Sequence, residues 1–140
     1  YYSKISAVIC KTKNNLFSEP FNGKYIDPYS KQEVPYGAFH ASENSFLFGY
    51  FSNENVFCCT HDEAIRLSQT IQKMWSNFAK NGDPSIADGD VPGVAAISWD
   101  AYTNENSAIM NINSEKCEQT VDPFKENIDL MGDLYWAKLR

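Results

Sequence analysis

THDEAIRLSQTIQKMWSNFAKNGDP, running from Thr60 to Pro84, is the stretch on which the fold turns. It opens with Thr60 and, three residues on, Glu63, the pair that makes a capping box: each residue's side chain serves a backbone N–H that the first helical turn leaves unpaired. Behind it Ala64, Leu67, Ser68, Ile71, Met74, Trp75 and Phe78 recur at helical spacing and form one apolar stripe. Asn81-Gly82 and then Pro84 end the pattern, since glycine closes helices and proline cannot continue one. The spacing predicts an amphipathic helix over residues 61–80. It puts Trp75 and Phe78 in a core rather than a substrate pocket.

Outward from this helix the chain alternates in character. Ile5–Cys10 is a short β-branched run that reads as a strand. Residues 13–37 carry Asn14-Asn15, Asn22-Gly23, Asp27-Pro28, Pro35 and Gly37, which together read as a long loop with turns. An apolar stretch spans Phe46 to Phe51. On the other side, residues 81–98 are a Gly/Pro/Asp-rich connection and Ser107–Ile112 is a strand. Asp122-Pro123 starts a last helix, along which Phe124, Ile128, Met131, Leu134, Tyr135 and Leu139 keep the period. The order is strand, long His-bearing loop, helix, strand, C-terminal helix, so the class is α/β. Two strands make a poor sheet. A loop this long inside a compact domain is either functional or a sign that part of the domain is missing.

Composition narrows the function. The chain has 140 residues, 43% of them hydrophobic, with a formal net charge of -6. That acidity excludes a nucleic-acid partner, because phosphate backbones need a basic face. No apolar run reaches the length of about 20 residues that a membrane helix needs. Residue 1 is Tyr, and any leader peptide would lie upstream. The cysteines are Cys10, Cys58, Cys59 and Cys117; a bridge between the adjacent pair would be strained. With no Asn-x-Ser/Thr acceptor present, the reading favours reduced thiols and a bacterial, cytoplasmic setting, secretion being the alternative.

Four blocks, in order across roughly residues 35–140, carry a resemblance. Gly37-Ala38-Phe39-His40-Ala41-Ser42-Glu43, followed by Phe46-Leu47-Phe48-Gly49, resembles the histidine block of the type-B carboxylesterases, the cholinesterase-like branch of the α/β-hydrolases. That block reads Gly-x-x-His-Gly/Ala-x-Glu/Asp and then an apolar Phe-Gly. Trp75-Ser76-Asn77-Phe78-Ala79-Lys80-Asn81-Gly82-Asp83-Pro84 is similar to the family's Trp-x-x-Phe-Ala-Lys-x-Gly-Asp/Asn-Pro. Trp99-Asp100-Ala101-Tyr102 resembles its Trp-Pro-x-Tyr, and a strand and closing helix through Tyr135-Trp136 complete the order. Two departures stand out: Ala41 where Gly is commoner, and Asp100 where Pro is usual. Should residue 41 need a positive φ, alanine there costs about a kcal/mol.

The resemblance implies an α/β-hydrolase triad in the order Ser, Asp/Glu, His, with the serine on a Gly-x-Ser-x-Gly elbow. His40 matches the histidine and is expected to act as general base and then general acid. Glu43 is expected to hydrogen-bond nearby rather than to be the triad acid. The seven glycines permit no Gly-x-Ser-x-Gly. Residues 1–140 are therefore expected to be the C-terminal portion of a single hydrolase domain, inactive without its N-terminal remainder. That remainder and a small-molecule ester are the partners implied, with no cofactor and no metal. The alternative is a non-catalytic cholinesterase-like adhesion module, or a piece with no activity of its own. His61, at the helix start, is expected to be exposed and uninvolved. Cys58, Cys59 and His61 crowd together, but adjacent cysteines suit tetrahedral zinc badly. Asp88-Gly89-Asp90 resembles the start of a calcium loop, yet Trp99 stands where the closing Glu belongs.

Overall fold

A computed structural model describes residues 13–50, 57–103 and 105–137. The chain runs β1 (Asn14–Phe17), β2 (Phe21–Ile26), β3 (Glu33–Gly37), α1 (Asn44–Leu47), α2 (His61–Asn81), β4 (Ala108–Ile112), β5 (Glu118–Val121) and α3 (Lys125–Ala137). The strand expected at Ile5–Cys10 lies outside the described residues.

The capping box forms in full. Thr60 Oγ1 accepts from the Glu63 N–H, and the Glu63 carboxylate accepts from the Thr60 N–H at 2.8 Å. At the far end Gly82, with φ 70°, closes α2 in the left-handed conformation. The predicted stripe is buried over Ala64, Leu67, Ser68, Ile71 and Met74. Phe78 departs from expectation: it is 46% exposed near the C-terminal end of the helix. Trp75 stays half-buried, 6.2 Å from Trp99 in an edge-to-face pair. Serine is an odd occupant of a core stripe; the reason is that Ser68 donates its hydroxyl to the Phe46 carbonyl at 2.5 Å.

Residues 13–37, expected as loop, hold three strands. β1 pairs in parallel with β4, and β4 pairs antiparallel with β5, giving a sheet ordered β1-β4-β5 in which β1 is an edge among the described residues. Parallel neighbours need a crossover, and the segment containing α2 supplies it. β2 and β3 form a separate antiparallel hairpin. Asp27-Pro28 does make its turn: the Asp27 carboxylate accepts from the Tyr29 and Ser30 N–H groups. Asn22-Gly23 does not. It lies inside β2 at a bulge, where a Cβ on Gly23 would come within 2.6 Å of the Phe21 ring. β5 was not anticipated either.

The core gathers Leu67, Ile71 and Met74 of α2 against Met110 and Ile112 of β4, with Phe46, Phe57, Ile86 and Trp99 around them. Ala108, Met110 and Ile112 alternate inward, as the period of two along a strand requires. Residues 82–103 are ordered by local bonds rather than strands. Asp83 accepts from the N–H and hydroxyl of Ser85, and an Ile86–Ile97 bridge closes the loop. The Lys13 ammonium donates to the Trp99 carbonyl and pairs with Asp83 at 3.5 Å. Asp90 spends its carboxylate on the Ala87 N–H and on Lys73, as a turn residue does. Asp100 occupies a place where proline would lose something: its N–H donates to Gln119 Oε1 at 2.9 Å.

α3 forms where Asp122-Pro123 signalled it. Its periodic side chains Phe124, Ile128, Met131 and Leu134 are all exposed, and it packs on no other element among the described residues. No helix of the described residues is long and apolar enough to cross a membrane.

Candidate functional site

Ligands in open α/β sheets gather beyond the carboxyl ends of the parallel strands. The chain leaving the carboxyl end of β1 is the one that carries His40. After Phe17 it passes Pro20 and Phe21, makes the β2–β3 hairpin, turns at His40, forms α1, and returns to its starting point. There an antiparallel Phe21–Phe57 bridge and a bond from the Cys58 N–H to the Pro20 carbonyl, at 3.0 Å, tie the base of the excursion shut. The last residue of β1, Phe17, meets Phe46 of α1 with ring centroids 5.4 Å apart. The turn that shows His40 is thus hung from the end of a parallel strand.

His40 sits at the second position of a four-residue turn. The Ser42 N–H donates to the Phe39 carbonyl at 3.1 Å, and Ala41, in third position, has φ 67°. A turn with positive φ there favours glycine. This is why Gly is the commoner residue at that point of the block. His40 itself is exposed, and its side chain has no hydrogen bond or ion pair among the described residues. Glu43 is half-buried at the start of α1; its backbone carbonyl accepts from Phe46 and Leu47, while its carboxylate makes no hydrogen bond to His40. The structure thus places His40 and Glu43 on one turn without joining them.

Aromatic rings hold this turn to the body of the protein. Phe39 packs edge-to-face on Phe21 at 5.5 Å; Phe21 packs on Tyr36 and on Phe57, and Phe57 packs on the core ring Phe46 at 4.6 Å. From α2, Ser68 and Gln72 reach the Phe46 and Leu47 carbonyls at the end of α1. Neither of these two polar anchors was singled out from sequence. A polar residue on an apolar stripe was the available signal for Ser68.

Two cavities among the described residues lie away from the His40 turn. One of about 320 Å³ runs between α2 and the 93–97 loop, walled by Arg66, Leu67, Thr70 and Ile97 among others. A smaller one of about 180 Å³ is lined by Trp75, Phe78, Pro84 and Trp99, so Phe78 walls a cavity instead of filling the core. His40 lines neither. Beside the base of the excursion, Glu19 is buried, accepting from the Ser114 N–H at 2.7 Å. Burial, together with a hydrogen bond to Glu19, pushes the Cys59 thiol up to about 12. Cys58, Cys59 and Cys117 are free. Among the described residues no group of three or more His, Cys, Asp and Glu side chains is arranged to hold a metal ion.

The carboxylesterase family model matches residues 4–131. Para-nitrobenzyl esterase of Bacillus subtilis (strain 168) is 36% identical over 90 residues, which cover 63% of this chain and 16% of that protein. Bile salt-activated lipase of Homo sapiens is 32% identical over 109 residues, covering 78% of this chain and 13% of the lipase. Among solved structures, a thermophilic pNB esterase superposes with a TM-score of 0.58 at 27% identity, over 82% of this chain and 20% of that one. The chain therefore spans no more than about a fifth of these relatives' length. Histidine block, Trp-x-x-Phe helix and parallel β1–β4 pair all lie within the matched span, and the chain belongs to the carboxylesterase family, folded as part of an α/β-hydrolase.

Proposed function

We propose that this chain is the C-terminal part of a serine carboxylic-ester hydrolase and supplies its triad histidine, His40. The observation that carries the reading is the placement of His40: an exposed imidazole, in the family's histidine block, on a turn suspended from the carboxyl end of a parallel strand. In such a site the serine hydroxyl gives its proton to the imidazole as its oxygen attacks the ester carbonyl. The imidazolium then protonates the departing alcohol. Water, losing a proton to the same imidazole, releases the acid and restores the serine. The nucleophile, the acid that orients the imidazole, and the oxyanion donors belong to an N-terminal remainder.

Three features support that remainder as a partner. An active site must be concave, and His40 here stands in the open. The edge of β1 has no neighbouring strand among the described residues, and the apolar side chains of α3 are exposed. Glu43, half-buried with an uncommitted carboxylate, is proposed to hydrogen-bond within the completed site.

The test uses the protein expressed from its intact reading frame, assayed on p-nitrophenyl acetate. His40→Ala is expected to lower kcat by about 10⁴-fold or more with KM little changed, since the base acts on the transition state. His61→Ala, at the exposed start of α2, should be silent. Loss of activity in His61→Ala with retention in His40→Ala would overturn the assignment. An intact protein without esterase activity would favour an adhesion role instead.

A further inference from the structure

Among the described residues Ser42 is one of the most buried polar side chains, 3% exposed, yet it lies two positions from the exposed His40. A buried hydroxyl must find a partner or cost stability. Its partner is the Phe39 carbonyl, to which Ser42 Oγ donates at 2.7 Å. The same carbonyl accepts the Ser42 N–H at 3.1 Å. One acceptor, on the residue before His40, is therefore held twice by the residue two after it. Between the two anchors stands Ala41 at φ 67°, a conformation alanine adopts at a cost of about 1–2 kcal/mol. Backbone strain of this kind persists only where the surroundings over-determine it. Here the determinants are the Ser42 bonds on one side and the Phe39 ring, set between Phe21 and Tyr36, on the other.

We infer that Ser42 is a positioning residue for His40: its hydroxyl locks the turn that aims the imidazole. This rests on the esterase reading above. The backbone bond alone leaves the turn free to relax, since the residue in its third position disfavours the conformation required. The hydroxyl supplies the second tie that holds it. An imidazole displaced by about 1 Å from its working geometry costs on the order of 100-fold in rate. Ser42 is buried, which keeps its side chain from the surface a substrate would meet, so ground-state binding should be left alone.

The experiment compares Ser42→Ala, Ser42→Cys and Ser42→Thr with wild type and His40→Ala in the intact protein, reading kcat and KM separately. Ser42→Ala is expected to lose between about 10- and 100-fold in kcat with KM within about threefold of wild type. Ser42→Thr, which keeps the hydroxyl, should recover most of that loss. A purely structural serine would change folded yield and thermal transition while leaving kcat per folded molecule intact. That outcome, or an equal kcat loss in Ala and Thr variants that both melt like wild type, overturns the inference. Should the added methyl of Ser42→Thr abolish the thermal transition, Ser42→Cys decides, since it keeps the volume but donates weakly. A deficit like that of Ser42→Ala supports the lock, and wild-type kcat refutes it. If His40→Ala is as active as wild type, the esterase reading itself has failed. If His40→Ala is inactive and Ser42→Ala is unimpaired, the lock alone has failed.

Discussion

Ala41 carries the most direct consequence at the scale of single residues. Its φ of 67° costs about 1–2 kcal/mol for an L-residue with a Cβ, while glycine costs about 0.5–1 kcal/mol more in chain entropy. The difference sets the sign: Ala41→Gly should stabilise the protein by about 0.5–1 kcal/mol, read as a raised midpoint of urea unfolding with an unchanged slope. A lowered midpoint would mean that the turn is not strained. Sequence alone posed this question but could not answer it, because φ is a property of the folded backbone. The same limit explains Gly23. Asn-Gly is a strong turn signal, yet the Phe21 ring lies where a side chain at residue 23 would stand, so that glycine serves packing inside a strand. Ser42 was legible only as a spacer between His40 and Glu43. Nothing in the sequence shows that it is buried.

At the scale of elements, α2 was readable because cap, stripe and stop agree, and a helix carries all three locally. The cap also gives a pH dependence. Hydrogen bonds from the Thr60 N–H and hydroxyl hold the Glu63 carboxyl below its ordinary value of 4.5. A depressed folded value means the cap's contribution is complete above that pH and is lost as acid titrates through the lower folded value. Helix content and thermal midpoint should therefore fall more steeply below about pH 4.5 in wild type than in Glu63→Gln. Parallel slopes would show the carboxylate to be idle. Thr60→Ala should cost about 1 kcal/mol at neutral pH. The hairpin was missed for a reason opposite to the helix's clarity. β2 and β3 are rich in turn formers, Asn22, Gly23, Pro35 and Gly37, and their pairing is fixed by cross-strand partners and by aromatic contacts to Phe39. β5, Glu-Gln-Thr-Val, has too little apolar alternation to announce itself; its pairing to β4 defines it.

For the molecule as a whole, the α/β class and the later order of helix, strand and C-terminal helix were legible, while the partnership of β1 with β4 was not. Parallel strands meet across a crossover, and no local signal records which strands will be neighbours. The thiols offer a check on packing over the whole body. Burial raises Cys117 to about 11, and burial with Glu19 raises Cys59 to about 12, so both are protonated and slow at pH 8, while Cys58 is exposed. Alkylation of the native protein at pH 8, mapped by mass spectrometry, should mark Cys58 well ahead of the other two; early modification of Cys59 would contradict the packing around Glu19. One feature of the sheet reaches beyond function into handling. Unpaired strand edges template aggregation, and natural proteins guard them with charged residues, lysine above all. Lys13, the lysine that leads into β1, has its ammonium drawn inward to the Trp99 carbonyl and Asp83, with only 12% of its side chain exposed. Among the described residues, Asn14-Asn15-Leu16-Phe17 is thus an edge whose nearest gatekeeper faces the wrong way. Produced on its own, the chain would stack edge to edge into insoluble material unless another strand reached β1 first.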